Sequence, residues 1–276
     1  YVAVIAREGD QVNSGGDTFC VHAPDEIDLD KTARAAVAEA VDGLNPKSAP
    51  SAATPVILAP DAAISLLRTF TGVFSADSAQ KGMSLLKDRE GELVASECVT
   101  LLDNPLLAGS LASRPFDGEG VRAREKKIID SGRLTTLMHN LKTARKQGVE
   151  STGNATRSYN SALGIAPSNF YFMPGECSQQ ALMEKMENGL LITELQGLHA
   201  GANPISGDFS LSAKGFAVRG GKRAEAVAQI TAAGNFYALL REIQSVGSDL
   251  KLGFPGLCRF GSPSLLVREL AIAGAE

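Results

Sequence analysis

The sequence has no tryptophan, only three histidines and four cysteines, and just 5% aromatic residues. Each scarcity removes a class of chemistry. His22, His139 and His199 stand too far apart for a His-Glu-x-x-His zinc helix. Cys20, Cys98, Cys177 and Cys258 supply no C-x-x-C pair for zinc or thiol redox work. So few aromatics make no stacking platform for single-stranded nucleic acid. Basic residues do not dominate either, because 27 Lys+Arg against 31 Asp+Glu leave a formal charge of −4. That sign disfavours a nucleic-acid partner. No apolar run approaches the roughly 20 residues that span a bilayer, so no membrane partner is expected. No secretory leader is visible, which predicts a soluble, cytoplasmic chain whose cysteines are reduced and mostly buried.

What is present suits a folded chain of one large or two modest domains: 276 residues, 44% hydrophobic and 21% charged. Tyr1-Val-Ala-Val-Ile-Ala6 reads as a strand already under way, so the chain is expected to be a piece of a longer protein. Asp28 or Asp30 can cap a helix over 32–41, ended by Gly43. Asn45 to Pro55, rich in Pro, Ser and Ala, reads as a linker or exposed loop and as the best internal boundary. Val56-Ile-Leu58 then predicts a short buried strand, and Asp61 a cap for a helix reaching Phe74.

Strand signals dominate beyond residue 92: 92–102, 127–137 with a turn at Ser131-Gly132, 169–173, 190–195, 208–211 and 215–219 paired with 224–230, and 262–272. Helices are expected over 179–188 and 235–246. With 28 glycines, this predicts an α+β fold built on a strongly bent, barrel-like antiparallel sheet with a few packed helices.

Several apparent motifs dissolve on inspection. Gly215 to Arg223 approximates a phosphate-binding loop, but the lysine stands one place late and Arg223 replaces the magnesium-binding hydroxyl. Gly220-Gly221 is better read as a hairpin turn. Gly118-Glu-Gly120 has no buried strand before it and reads as a loop rather than a dinucleotide fingerprint. No G-x-S-x-G elbow exists; Ser210 could be a nucleophile only with a base such as His199, and its alternation with apolar neighbours favours a strand face. A reactive thiol at Cys177 or Cys258 lacks an adjacent activating group. Basic residues cluster once, at Arg122 to Lys127, and read as a solvated face.

A collinear series of segments is more specific. Arg114-Pro-Phe-Asp-Gly-Glu-Gly120, Leu141 to Gly148, Ser151-Thr-Gly-Asn-Ala-Thr-Arg157 and Asn169 to Gly175 open it. Gly189 to Gly197, Ala202 to Leu211, Ala233-Gly-Asn235 and Gly261 to Leu265 complete it. This order resembles the TldD/PmbA family over nearly the whole chain. The resemblance implies that 1–50 is the end of an N-terminal α/β domain plus linker, and 51–276 the family's β-rich C-terminal domain. It also implies a pairing of two related subunits that together enclose a chamber for unfolded peptides. The TldD-like subunit carries zinc on a His-Glu-x-x-x-His helix, with a cysteine near its C-terminus as third ligand; the PmbA-like (TldE-like) subunit lacks them.

Here the equivalent strand is Pro55-Val-Ile-Leu58, and Arg68, Thr69 and Val73 fall where the first His, the Glu and the second His would stand. A guanidinium cannot donate a lone pair to zinc, threonine is no general base near neutral pH, and valine offers no ligand. Cys258, three residues before Gly261, stands too close to the closing strand for the third ligand. The resemblance therefore implies a metal-free subunit without a cofactor, partnered by a TldD-like zinc peptidase and holding unfolded peptide. Asn154, His199, Asn203 and Asp208 are the candidate peptide-binding residues. Two alternatives stand beside it: a regulator of DNA gyrase or of a toxin–antitoxin system, and a metal-independent hydrolase using Cys177, Cys258 or Ser210.

Overall fold

The computed structural model describes residues 1–274. Strands β1 (Val2–Glu8) and β2 (Gln11–Asp17) form an antiparallel hairpin against helix α1 (Leu29–Asp42), capped by the Asp28 carboxylate accepting from the Lys31 N–H. Then follow β3 (Ala52–Leu58), α2 (Pro60–Phe70), a 3-10 turn over Thr71–Phe74, and α3 (Ala76–Gln80). The middle of the chain holds β4 (Leu101–Asp103), β5 (Lys126–Asp130), β6 (Arg133–Leu134), α4 (Leu141–Gln147), β7 (Ala155–Thr156), β8 (Gly164–Ile165) and β9 (Asn169–Phe172). The last part holds α5 (Gln179–Met186), β10 (Gly189–Gln196), α6 (Leu198–Gly201), β11 (Asp208–Arg219), β12 (Lys222–Asn235) and α7 (Phe236–Glu242). It closes with β13 (Ile243–Val246), β14 (Lys251–Leu252), β15 (Arg259–Ser262) and β16 (Leu265–Ala273). No described helix is long and apolar enough to cross a membrane.

The bent sheet is a barrel. Strands run β12-β11-β10-β3-β16, and β16 pairs back onto β12, so five strands close on themselves with β13 appended to β16. Closure removes edges from the central strands. The strand cores are buried on both faces, which is why they read as unbroken apolar runs. Val56, Leu58, Leu190, Ile192, Leu265 and Val267 point to the main core, while Ile57, Leu191 and Leu266 point the other way, under Leu182 and Met183 of α5. The long hairpin β11–β12 turns at Gly220-Gly221, both at positive φ, as a two-residue turn demands. A Cβ on Gly221 would sit 2.8 Å from Glu184 Cα, so only glycine lets α5 approach.

A second sheet, β14-β15-β9-β4-β5-β6, stands beside the barrel. Helix α2 lies between the two, held by phenylalanines: Phe70 stacks on Phe236 at 4.7 Å, Phe74 meets Phe170 edge-on at 5.6 Å, and Phe170 meets Phe260. Aromatic pairs of this geometry add to the area they bury.

Several local expectations give way to tertiary context. The pairing is not wholly antiparallel, since β3–β10 and β9–β15 are parallel. Residues 92–100 form turns rather than a strand: Val94 and Ala95 both donate to Gly132 O and Ser96 donates to Leu240 O, a pattern no ladder permits. The helix expected over 235–246 stops at Glu242, where Ile243–Val246 joins the sheet beside β16. Asp61 does not cap α2; Ala59 is the cap residue, followed by Pro60 in the first turn. The Asn45–Pro55 stretch is strapped to the barrel by a Lys47–Val227 bridge, and β3 begins within it. Lys126, expected on a solvated face, turns inward to Asp103. The cysteines are free, but Cys98 is exposed and the other three only half-buried.

Candidate functional site

Two cavities follow one another along α2 and β10. The larger, about 910 Å³, opens between the N-terminal hairpin with α1 and the barrel; Asp61, Thr193 and Glu194 line it, as do the edge strand β14 and Phe254. Three ion pairs line it: Lys214–Glu194 at 2.5 Å, Arg223–Asp42 at 2.5 Å and Lys251–Asp61 at 2.9 Å. Burial opposes ionisation of Glu194, yet hydrogen bonds from Lys214 and Gln196 hold its carboxyl below the usual range. Arg223 also lies over the Phe216 ring at 4.4 Å.

The smaller cavity, about 710 Å³, lies farther along the same helix and strand. Ser65, Arg68 and Thr69 of α2 face Leu195 to His199, with Ala202 and Pro204 closing one side. Spacings of three and four put Ser65, Arg68 and Thr69 on one helix face. Thr69 Oγ1 donates to Ser65 O at 2.8 Å, so that hydroxyl is spent on the helix itself. Arg68 is exposed, and among the described residues no carboxylate pairs with it. Val73 is elsewhere: it lies in the 3-10 turn with no exposed surface, packed into the core.

Cys258 lies within electrostatic reach of Arg68 and Arg114. Burial pushes its thiol up, while the positive charges of Arg114 and Arg68 pull the other way. The loop before it packs along α2, where Gly253 lies against Ile64. Arg68, Thr69 and Val73, the positions that the resemblance sets against the zinc helix, thus present a guanidinium, a hydroxyl bonded to its own helix and a core valine. That donor set cannot hold zinc, and no described group of three or more His, Cys, Asp or Glu is placed to hold a metal ion.

The four polar candidates separate. His199 borders the smaller cavity beside Arg68. Asn154 has no exposed surface; its amide donates to Asp103 Oδ2 at 2.6 Å and to Ala166 O, and its oxygen accepts from Thr152. Asn203 closes a turn by accepting from Ile205 N and Ser206 N. Asp208 is exposed, and hydrogen bonds from Asn235 and Ser206 hold its carboxyl below the usual range. Ser210 lies on the exposed face of β11, and no described hydrogen bond links it to His199. The Arg-Pro-Phe-Asp-Gly-Glu-Gly segment is architectural: Asp117 accepts from Glu119 N and Val121 N through one oxygen and from Ala155 N through the other.

Sequence reading missed the cavity itself. Ser65 and Gln196 carry no signature, and only the packing of α6 against α2 brings them beside Arg68 and His199.

Residues 51–274 match the family profile described as the PmbA/TldA metallopeptidase C-terminal domain. A metalloprotease of Methanothermobacter thermautotrophicus is 30% identical over 99% of the chain and 63% of the relative. Metalloprotease PmbA of Escherichia coli O157:H7 is 34% identical over 84% of the chain and 48% of the relative. A crystal structure from Thermotoga maritima, of a protein named as a candidate modulator of a DNA gyrase, superposes with a TM-score of 0.90. It is 40% identical, over 98% of this chain and 61% of that one. TldE of Thermococcus kodakarensis superposes with a TM-score of 0.88 at 26% identity, over 98% and 61%. The chain thus spans about half to two thirds of the length of these relatives. On the profile match and these identities, it belongs to the PmbA/TldD metallopeptidase family.

Proposed function

We propose that the chain is a metal-free, non-catalytic subunit of a two-subunit peptidase, shaping a chamber and holding unfolded peptide for a zinc-bearing TldD-like partner. One observation carries the reading: at the positions of the family's zinc helix the side chains are Arg68, Thr69 and Val73, none able to ligate or deprotonate water. In this reading residues 1–50 end an N-terminal α/β domain and 51–276 form the C-terminal domain.

The closed barrel restricts how a peptide can be held. Extended peptides bind by main-chain pairing at a free strand edge, and the central barrel strands have none. The outer edge of the second sheet is β14, beside the larger cavity. Peptide enters there, and His199 is the polar candidate that borders its path along α2.

Co-expression with a homologue bearing His-Glu-x-x-x-His, followed by metal analysis of each subunit, tests the assignment. A stable complex with zinc only in the homologue is expected. Stoichiometric zinc and peptide cleavage in the isolated chain would overturn it, and capture of gyrase instead would favour the regulatory reading.

A further inference from the structure

We infer that the cavity at Arg68 is a receptor for the C-terminal carboxylate of a bound peptide. This rests on the peptide-holding role proposed above and assigns the direction in which the peptide lies. The site joins one cation to polar neighbours and an apolar wall. Arg68 and Ser65 of α2 line it together with His199, and Leu195, Leu198 and Pro204 supply apolar lining. In the larger cavity Lys214, Arg223 and Lys251 are each matched by a carboxylate, and Arg259, half-buried, donates to Gly253 O. Arg68 has no such match among the described residues, and no acidic side chain lines its cavity.

A guanidinium presents a planar fork that fits a carboxylate with two parallel hydrogen bonds. One cation with an apolar wall suits a singly charged group carrying an aliphatic side chain. It fits a phosphate poorly, since that would call for more than one positive charge.

Distance and order along the elements give the orientation. The two cavities take successive residues of the same helix and the same strand: Asp61 with Thr193 and Glu194 in the first, then Ser65 and Arg68 with Leu195 to His199 in the second. Seven helical residues from Asp61 to Arg68 cover about 10 Å, the length of about three extended residues. A peptide anchored by its terminus at Arg68 therefore reaches the edge of β14 by its fourth residue from the end. The acidic pair at the far end is neutralised by Lys214 and Lys251 and the half-buried Arg259 is bonded to Gly253 O, so Arg68 is the exposed cation that fixes direction.

Fluorescence anisotropy with the full chain tests this, using an unstructured aliphatic pentapeptide labelled at its N-terminus. Three forms are compared: the free acid, the C-terminal amide, and the amide with glutamate as last residue. The free acid is expected to bind about 10-fold or more tightly than the amide. Arg68→Ala should reduce that ratio to under about twofold, and Arg68→Lys should fall between because it keeps charge but not the fork. Arg68 is exposed, and unchanged thermal melts of both variants verify that the fold is intact. Equal binding of acid and amide would overturn the carboxylate assignment while leaving peptide holding in place. Rescue by the amidated glutamate peptide would replace a chain terminus by an acidic side chain and overturn the assigned direction. Failure of every peptide to bind, to the chain alone and to its complex with the zinc-bearing partner, would overturn the peptide-holding role itself.

Discussion

Lys126 Nζ lies 2.9 Å from Asp103 Oδ2, with the two side chains 9% and 1% exposed. The carboxylate is fully occupied, because Asn154 shares Oδ2 while the Ser168 N–H and hydroxyl donate to Oδ1 at 2.8 and 2.6 Å. A buried pair of this kind is weak evidence of net stabilisation, but breaking it strands a charge. Lys126→Met should therefore cost about 3–5 kcal/mol in urea unfolding. Lys126→Met combined with Asp103→Asn should cost less than the sum of the two single changes. Additive losses would show that the two groups do not act as a pair.

Phe70 ties the helix of both cavities to the rest of the fold, stacked on Phe236 and 6.3 Å from Phe209. Phe70→Ala should cost about 3–5 kcal/mol, and Phe70→Leu clearly less. Because Arg68 is only two residues away, the alanine variant should also blur the cavity. A chemical-denaturation series with peptide titration at low denaturant reads both effects. Full stability after Phe70→Ala would mean that α2 is held by other contacts.

The barrel was legible because its strands write themselves as buried apolar runs, as at Val56-Ile-Leu58 and Leu190-Leu-Ile192, and because Gly220-Gly221 marks its hairpin. Its closure was not, since the β12–β16 pairing joins Thr231 to Ala273 and nothing local announces it. Of the strand expected over 92–102 only Leu101 and Leu102 pair, in β4, because the apolar residues before them serve turns packed around Gly132. At the site, Arg68 and His199 were visible as single residues, 131 positions apart in sequence, yet their sharing of one cavity is a product of α6 packing on α2. Asn154 looked like a wall residue because buried and exposed asparagines are spelled alike; only the Asp103 network distinguishes them.

Cys98 and Cys258 should differ in reactivity. Cys98 is exposed, whereas burial raises the Cys258 thiol despite the opposing charges of Arg114 and Arg68. Thiolate is the nucleophile, so iodoacetamide at pH 7.5 should label Cys98 first and Cys258 slowly. Arg68→Ala removes one of the two cations and should slow Cys258 further without changing Cys98. Mass-spectrometric rates for each cysteine peptide check this, and faster labelling of Cys258 in the variant would refute the electrostatic coupling.

His139 couples the fold to pH. Its ring is buried, Nδ1 has no hydrogen-bond partner, and burial lowers its pKa below the ordinary value of 6.5 despite the charge of Glu90. The unfolded chain therefore takes up this proton at higher pH than the folded one. The stability contributed by keeping the imidazole neutral is present in full above about pH 6.5 and is lost as pH falls toward the lowered folded value. The slope from this one group cannot exceed about 1.4 kcal/mol per pH unit. His139→Leu should flatten the decline between pH 7 and pH 5. The hydrogen bonds at this position, from Ser151, Thr152 and the Asn154 N–H to the carbonyl and from the His139 N–H to Thr152, belong to the main chain and survive the change. Urea midpoints for both proteins across that range measure the effect, and parallel curves would place the proton uptake at some other residue.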